Sequence, residues 1–308
     1  MSRLIHLAQI AGLILVSVLA ACGDEGVDGS AMPDGVLDRR AEVPQAAANA
    51  VDLVAPEVEI PAGSERMYCL YLQHDGPDLA VNALSTFQGP GGHHIALVQG
   101  ETDRPVGTLE DCTTAESIET MIPVLIPLPL PARHAVRIRS GQRFVLQFHY
   151  INVNAAPIVV SDVARLEVID ESDVDHWVST FATNSGLIDV PARSRGETEW
   201  DCAVDQPLEI LLVGGHMHER GTTFSLEVVR EGAPEMLFSI PTWVPDFRDF
   251  PPILPLFEDP EVIPANTTLR TRCEWENESD EPLGFPEEMC ASFGYIKSRD
   301  GYFCSAGE

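Results

Sequence analysis

Arg143-Phe144-Val145-Leu146-Gln147-Phe148-His149-Tyr150 alternates in the two-residue period of a β-strand. Extended, it puts Phe144, Leu146, Phe148 and Tyr150 on one face and Val145, Gln147 and His149 on the other, so an apolar face meets a core and a polar face carries a histidine. Shorter runs of the same kind recur at Ile158–Val160, Leu166–Ile169, Ile210–Val213 and Phe224–Val229, separated by Pro and Gly clusters. The 24 prolines leave little room for long helices, and four of them make 123–131 a loop or edge segment. The pattern predicts an all-β chain of antiparallel β-sandwich architecture.

The N-terminus reads as processing sequence. Arg3 precedes a short apolar run that ends in Leu19-Ala20-Ala21-Cys22, the form of a bacterial lipoprotein box. Residues 1–21 are expected to be a lipoprotein signal peptide, with Cys22 lipidated and the protein held at the cell envelope, either periplasmic or on the outer surface. Residues 22–50, rich in Gly, Ala, Asp and Glu without apolar periodicity, are expected to be a flexible acidic tether. Asp170-Glu171-Ser172-Asp173 interrupts the strand pattern and divides the remainder into sandwiches at 51–172 and 173–308. The net charge of −29 repels phosphate backbones and argues against a nucleic-acid partner. Six cysteines follow Cys22: Cys69, Cys112, Cys202, Cys273, Cys290 and Cys304. In an exported chain an even set without a Cys-x-x-Cys spacing reads as disulfide staples, with 15 pairings open. No Gly-x-Ser-x-Gly elbow supports a serine hydrolase.

Chemistry concentrates in four segments. His93 and His94 follow Gly89-Pro90-Gly91-Gly92. Neighbours on a regular strand face opposite ways, but a bend at this glycine-rich run turns both rings to one side, where His149 completes a three-imidazole site. His216 and His218 flank Met217 and, if extended, point to the same side while Met217 faces away. Met289, in the turn-like Pro286-Glu287-Glu288-Met289-Cys290, offers a thioether that favours Cu(I) over zinc. His74, His134 and His176 lack companion spacing and are expected to be structural or surface residues.

Taken in order, His93-His94-Ile95-Ala96-Leu97, Gln147-Phe148-His149-Tyr150, His216-Met217-His218, Cys273-Glu274-Trp275-Glu276-Asn277 and Glu288-Met289-Cys290 resemble the copper type II, ascorbate-dependent monooxygenases, the peptidylglycine and dopamine hydroxylase family. The resemblance implies two tandem jelly-roll-like β-sandwich domains facing each other across an open cleft. It implies two copper ions: an electron-transferring one on His93, His94 and His149, and a catalytic one on His216, His218 and Met289. It further implies O2, a small organic substrate and a one-electron donor such as ascorbate as reaction partners, in a monomeric chain. Cys273 would pair with Cys290 and Cys202 with Cys304, which leaves Cys69 and Cys112. Gln147, on the face of His149, is a candidate to orient a ligand. The peptidylglycine branch holds a substrate carboxylate with residues that fall here at Gly214, Ala291 and Phe293, so that anchor is missing. The alternative reading is a copper-binding or copper-buffering lipoprotein without turnover.

Overall fold

A computed structural model describes residues 35–99, 103–113, 122–248, 250–285 and 287–306. The signal peptide and Cys22 lie outside these residues. Among them the chain is built from strands, with 3-10 turns at Glu171–Asp173 and Pro245–Arg248. The all-β sandwich architecture expected from the sequence is the one the chain adopts.

In the first half, Arg143–Asn152 lies at the centre of a five-stranded sheet between Ser64–Gln73 and Gly92–Gln99, antiparallel to both. Phe144, Leu146, Phe148 and Tyr150 point into the main core with Leu70, Leu97, Leu84 and Leu166. The opposite face is not solvated as its polar residues suggest: Val145, Gln147 and His149 are also buried. Tyr71, Val98 and the Cys69–Cys112 disulfide form a second small core there around Val145. The proline-rich 123–131 stretch runs from an edge strand, Ile122–Pro123, and drives Val124, Leu125 and Leu130 into the main core.

The described part of the segment expected as a tether, from residue 35, is joined to the fold. Leu37–Asp38 pairs in parallel with Ile158 and Val159, and Leu37 packs on the main core. Arg40 is held by Asp38 and Glu57. Apolar contact and main-chain pairing fix this segment despite its lack of periodicity.

In the second half, a four-stranded sheet (Ser194–Val204, Thr267–Asn277, Gly221–Arg230, Ala233–Ile240) faces the strands Leu208–His216, Cys290–Ile296 and His176–Ser185. Phe224, Trp275 and Val213 fill the space between. Cys273–Cys290 and Cys202–Cys304 link strands on the two sides.

The two halves share one sheet. His134–Ile138 of the first half pairs in parallel with His176–Ser185 of the second, beginning at His176 opposite His134. The resulting ten-stranded sheet runs through both halves. Leu211, Leu212 and Tyr295 from the second half belong to the first-half core. The buried Tyr295 hydroxyl accepts from the Ile126 amide at 2.7 Å. Tyr295→Phe strands that amide in an apolar seam, and an unmet buried donor costs about 1–3 kcal/mol. Urea denaturation is expected to read a loss of that size, and an unchanged midpoint would show that the bond contributes nothing to joining the halves.

Candidate metal centres

The first cluster is made by a register shift. His149 pairs with His94, but the next residue, Tyr150, pairs with Gly92, so His93 is the extra residue of a β-bulge. A bulge bends its strand and re-aims side chains, and here it brings two consecutive imidazoles to the same side. Gly91, at φ +95°, supplies the left-handed backbone that starts the bend. The potential ligand atoms of His93, His94 and His149 all lie within 4.8 Å of one another. The Nδ1 atoms of His93 and His94 are 3.3 Å apart, about the spacing of two nitrogens sharing a tetrahedral ion at roughly 2.0–2.1 Å each.

The outward nitrogens are committed. His149 Nε2 donates to Glu65 Oε1 at 2.8 Å, and His94 Nε2 donates to Gln147 Oε1 at 3.3 Å. A ring that donates from Nε2 keeps its lone pair on Nδ1 when neutral. His149 Nδ1 is buried with no hydrogen-bond partner, an orphan acceptor of the kind a metal ion satisfies. Burial lowers the His149 pKa; Glu65 opposes the shift, while His93 and Arg248 add to it. The imidazole is therefore kept neutral, the form that binds metal.

Beneath this cluster lies a polar network anchored on Asp162, which is fully buried. Its carboxylate accepts from the Tyr150 hydroxyl and from Gln88 Nε2 at 3.1 Å. The Gly89 amide donates to the Tyr150 oxygen at 3.3 Å. These bonds hold the segment that leads into the bulge to the strand that carries His149.

The second cluster lies at the end of Leu208–His216. The strand stops at His216, so His218 sits in the following turn rather than on an extended strand. The rings are 5.3 Å apart and nearly perpendicular at 83°. Met217 is fully buried in the second core, facing away from them. His216 is paired with Ala291, two residues beyond Met289. The residues before Met289 bind the histidine turn directly. Glu287 carbonyl accepts from His218 Nδ1 at 3.0 Å, which leaves Nε2 as the lone-pair nitrogen. Glu288 is fully buried, unlike an ordinary acidic turn residue. It accepts from the amides of His218 and Arg220 and from Trp275 Nε1, at 3.0, 2.7 and 2.9 Å. Burial pushes its carboxyl up, and those three donors oppose the shift.

The two clusters share a seam. Leu212, Gly214 and His216 alternate onto the face where Leu212 enters the first-half core. Burial pushes the His216 imidazole down to about 3, with His218, Arg248 and His94 of the other cluster adding to the shift. The backbone at Gly214 is closed to any side chain. A Cβ on Gly214 would stand 2.7 Å from Phe293 Cζ and 3.1 Å from Ile253 Cγ2. Those apolar side chains fill the space beside Gly214.

Among the described residues, His74, His134 and His176 stand apart from both clusters. His74 bonds the Pro77 carbonyl, and the His134 and His176 rings lie 4.6 Å apart where the halves join. Glu65, Asp162 and Arg248 had no signature in the sequence, and Glu288 was visible there only as part of Glu288-Met289-Cys290, without its bonds to the histidine turn.

No family model and no curated protein matches this chain. Among solved structures, the infectious bursal disease virus VP2 subviral particle aligns over 88% of this chain and 75% of its own at 9% identity. Its TM-score of 0.17 is too low to bear on fold or function.

Burial raises the Asp162 pKa to about 6, above the ~3.9 of an unfolded aspartate. Between those values the folded chain binds more protons than the unfolded one, so this residue's contribution to stability falls as pH rises from 4 through 6. At about 1.4 kcal/mol per pKa unit the loss is on the order of 2–3 kcal/mol. Asp162→Asn removes it. Denaturation at pH 4 and pH 7 should move the stability gap between variant and wild type in the variant's favour by about 2 kcal/mol. A gap constant with pH would mean that Asp162 ionises as an exposed carboxylate does.

Proposed function

We propose that this chain is a copper-dependent monooxygenase that hydroxylates an activated C–H bond of a small organic substrate, using O2 and a one-electron donor such as ascorbate. The observation that carries the reading is the orphaned, buried Nδ1 of His149, which lies with the ligand atoms of two further imidazoles, His93 and His94, within 4.8 Å of one another. His93, His94 and His149 would hold one copper, and His216, His218 and Met289 the other. Two imidazoles with a thioether form a donor set suited to Cu(I). Copper in these sites would supply one-electron redox chemistry and oxygen activation.

The protein's own part is orientation and exclusion. Glu65 and Gln147 fix the rings of His149 and His94 from outside, which locks the tautomer and raises ligand basicity. Glu288 ties the His218 turn to the Met289 turn through three hydrogen bonds, so the second ligand set moves as one piece. Cys273–Cys290 fastens the other side of Met289. Phe293 and Ile253 make the floor beside His216 apolar, which favours a carbon-rich substrate portion there.

The test is copper content and oxygen uptake of the purified full-length chain beside Met289→Ala and His149→Ala. Wild type is expected to retain about two copper ions after desalting. Met289→Ala should keep the three-histidine copper and bind Cu(I) more weakly at the other by roughly tenfold to a hundredfold. His149→Ala should show the converse. Copper that washes out of all three proteins equally would end the proposal. Copper retained without reductant-dependent oxygen uptake beyond that of free copper would leave the copper-buffering reading.

A further inference from the structure

A short pattern occurs once in each half. Ile60-Pro61-Ala62-Gly63-Ser64 and Val190-Pro191-Ala192-Arg193-Ser194 make the same turn, with φ +61° at Gly63 and +55° at Arg193. Each serine hydroxyl donates to its proline carbonyl, at 2.8 Å from Ser64 and 2.7 Å from Ser194. A buried asparagine staples each turn. Asn152 Nδ2 donates to the carbonyls of Ile60, Pro61 and Ala156, and Asn277 Nδ2 donates to those of Val190, Pro191 and Glu281.

The match continues through the strands. Ser64 pairs with Asn152, and Ser194 pairs with Asn277. On the other side of the same strands, Tyr150 pairs with Gly92 and Trp275 pairs with Gly221. Both ladders then skip a residue. His94 opposite His149 leaves His93 extra, and Thr223 opposite Glu274 leaves Thr222 extra. Each half therefore carries a bulge at the same place, just after a hairpin turn. The turn joins Leu79–Phe87 to Gly92–Gln99 in the first half and Leu208–His216 to Gly221–Arg230 in the second. Histidines flank it in both: His93 and His94 follow the first turn, while His216 opens the second and His218 lies within it.

A fully buried carboxylate serves each hairpin. The Tyr150 hydroxyl donates to Asp162, 12 residues on, and Trp275 Nε1 donates to Glu288, 13 residues on. The two pairs differ in residue type but match in position. Asp162 reaches its turn through Gln88 Nε2, and the Tyr150 oxygen accepts from the Gly89 amide. Glu288 reaches its turn directly, through the amides of His218 and Arg220.

We propose that Asp162 and Glu288 are equivalent positioning residues, each setting the hairpin turn from which its own half presents histidines. Asp162 acts through Tyr150 and Gln88 on His93 and His94, and Glu288 acts with Trp275 on His216 and His218. A buried acceptor with several donors on one turn fixes that turn in a single arrangement, which an apolar side chain of equal size would not do. Each device is local, so the two clusters are set independently. That these histidines bind copper rests on the monooxygenase reading.

The test compares the full-length wild type with Tyr150→Phe and Trp275→Phe, which remove the aromatic donors, and with Asp162→Asn and Asp162→Leu. Hydrogen exchange of the metal-free protein is read over 88–94 and 216–221. Copper affinity at each cluster is read by chelator competition. Tyr150→Phe is expected to speed exchange over 88–94 by roughly tenfold and to weaken copper at the three-histidine cluster by roughly tenfold to a hundredfold. The second turn and its cluster should keep wild-type values. Trp275→Phe should show the converse, a site-by-site split that general destabilisation would not produce. Asp162→Asn retains an acceptor for the Tyr150 hydroxyl and should retain both readouts, whereas Asp162→Leu should lose them at the first cluster. Exchange that rises equally at both turns, or at neither, overturns the inference. So does a local rise in exchange with copper affinity at that cluster unchanged. If the wild type holds no copper, the monooxygenase reading ends, and the exchange pattern alone decides whether each carboxylate sets its own turn.

Discussion

Everything at the candidate site depends on the main-chain pairing between His134–Ile138 and His176–Ser185. Two sandwiches joined by a loop alone are free to move, and interfaces of that kind are ordinarily mobile. Here the backbone hydrogen bonds of one sheet continue across the join, and Leu212 and Tyr295 complete the core of the other half. The orientation of each histidine cluster toward the other is therefore part of the fold.

Within that frame each cluster is built from the outside in. The ring nitrogens turned away from the presumptive ligand position are the ones given to protein acceptors: Glu65, Gln147 and the Glu287 carbonyl. The polar groups beneath, Asp162 and Glu288, are fully buried carboxylates satisfied by neutral donors and by no ion pair. Burying a carboxylate in this way is costly. The hydrogen bonds compensate in part, and in both places they hold a turn next to clustered histidines. Stability given up there is offset elsewhere, and the three disulfides, each closing a loop, are suited to do so.

The sequence made legible whatever is periodic or adjacent. The alternation of 143–150 placed His149 and Gln147 on one face, and the glycine run before His93 signalled a bend. Contacts with no local signature were beyond it. Glu65 lies 84 residues from His149, and Glu288 lies 70 from His218. Neither spacing distinguishes them from the many surface acids of this chain. The period-2 rule separates the two faces but does not say what covers the polar one, which here is a second small core. The Pro123–Pro131 stretch is the loop and edge segment its prolines indicate, but prolines do not say whether the residues between them are buried, as Val124, Leu125 and Leu130 are. Leu37–Asp38 is too short to carry any pattern, and it joins the fold by pairing alone.

The bulge at His93 makes the first cluster sensitive to counting. Side chains in a sheet keep their face only while the number of residues between fixed points is kept. His94 is held opposite His149 and Gly92 opposite Tyr150, with one residue more than the partner strand between them. Conservative replacement around the turn leaves that number intact, but loss of a single residue there would let the ladder close in regular register. The two histidine positions would then fall on opposite faces, and an imidazole would be turned into the apolar core. What the chain must preserve at this point is length before chemistry, so insertions and deletions, usually tolerated in loops, are the changes this loop can least absorb.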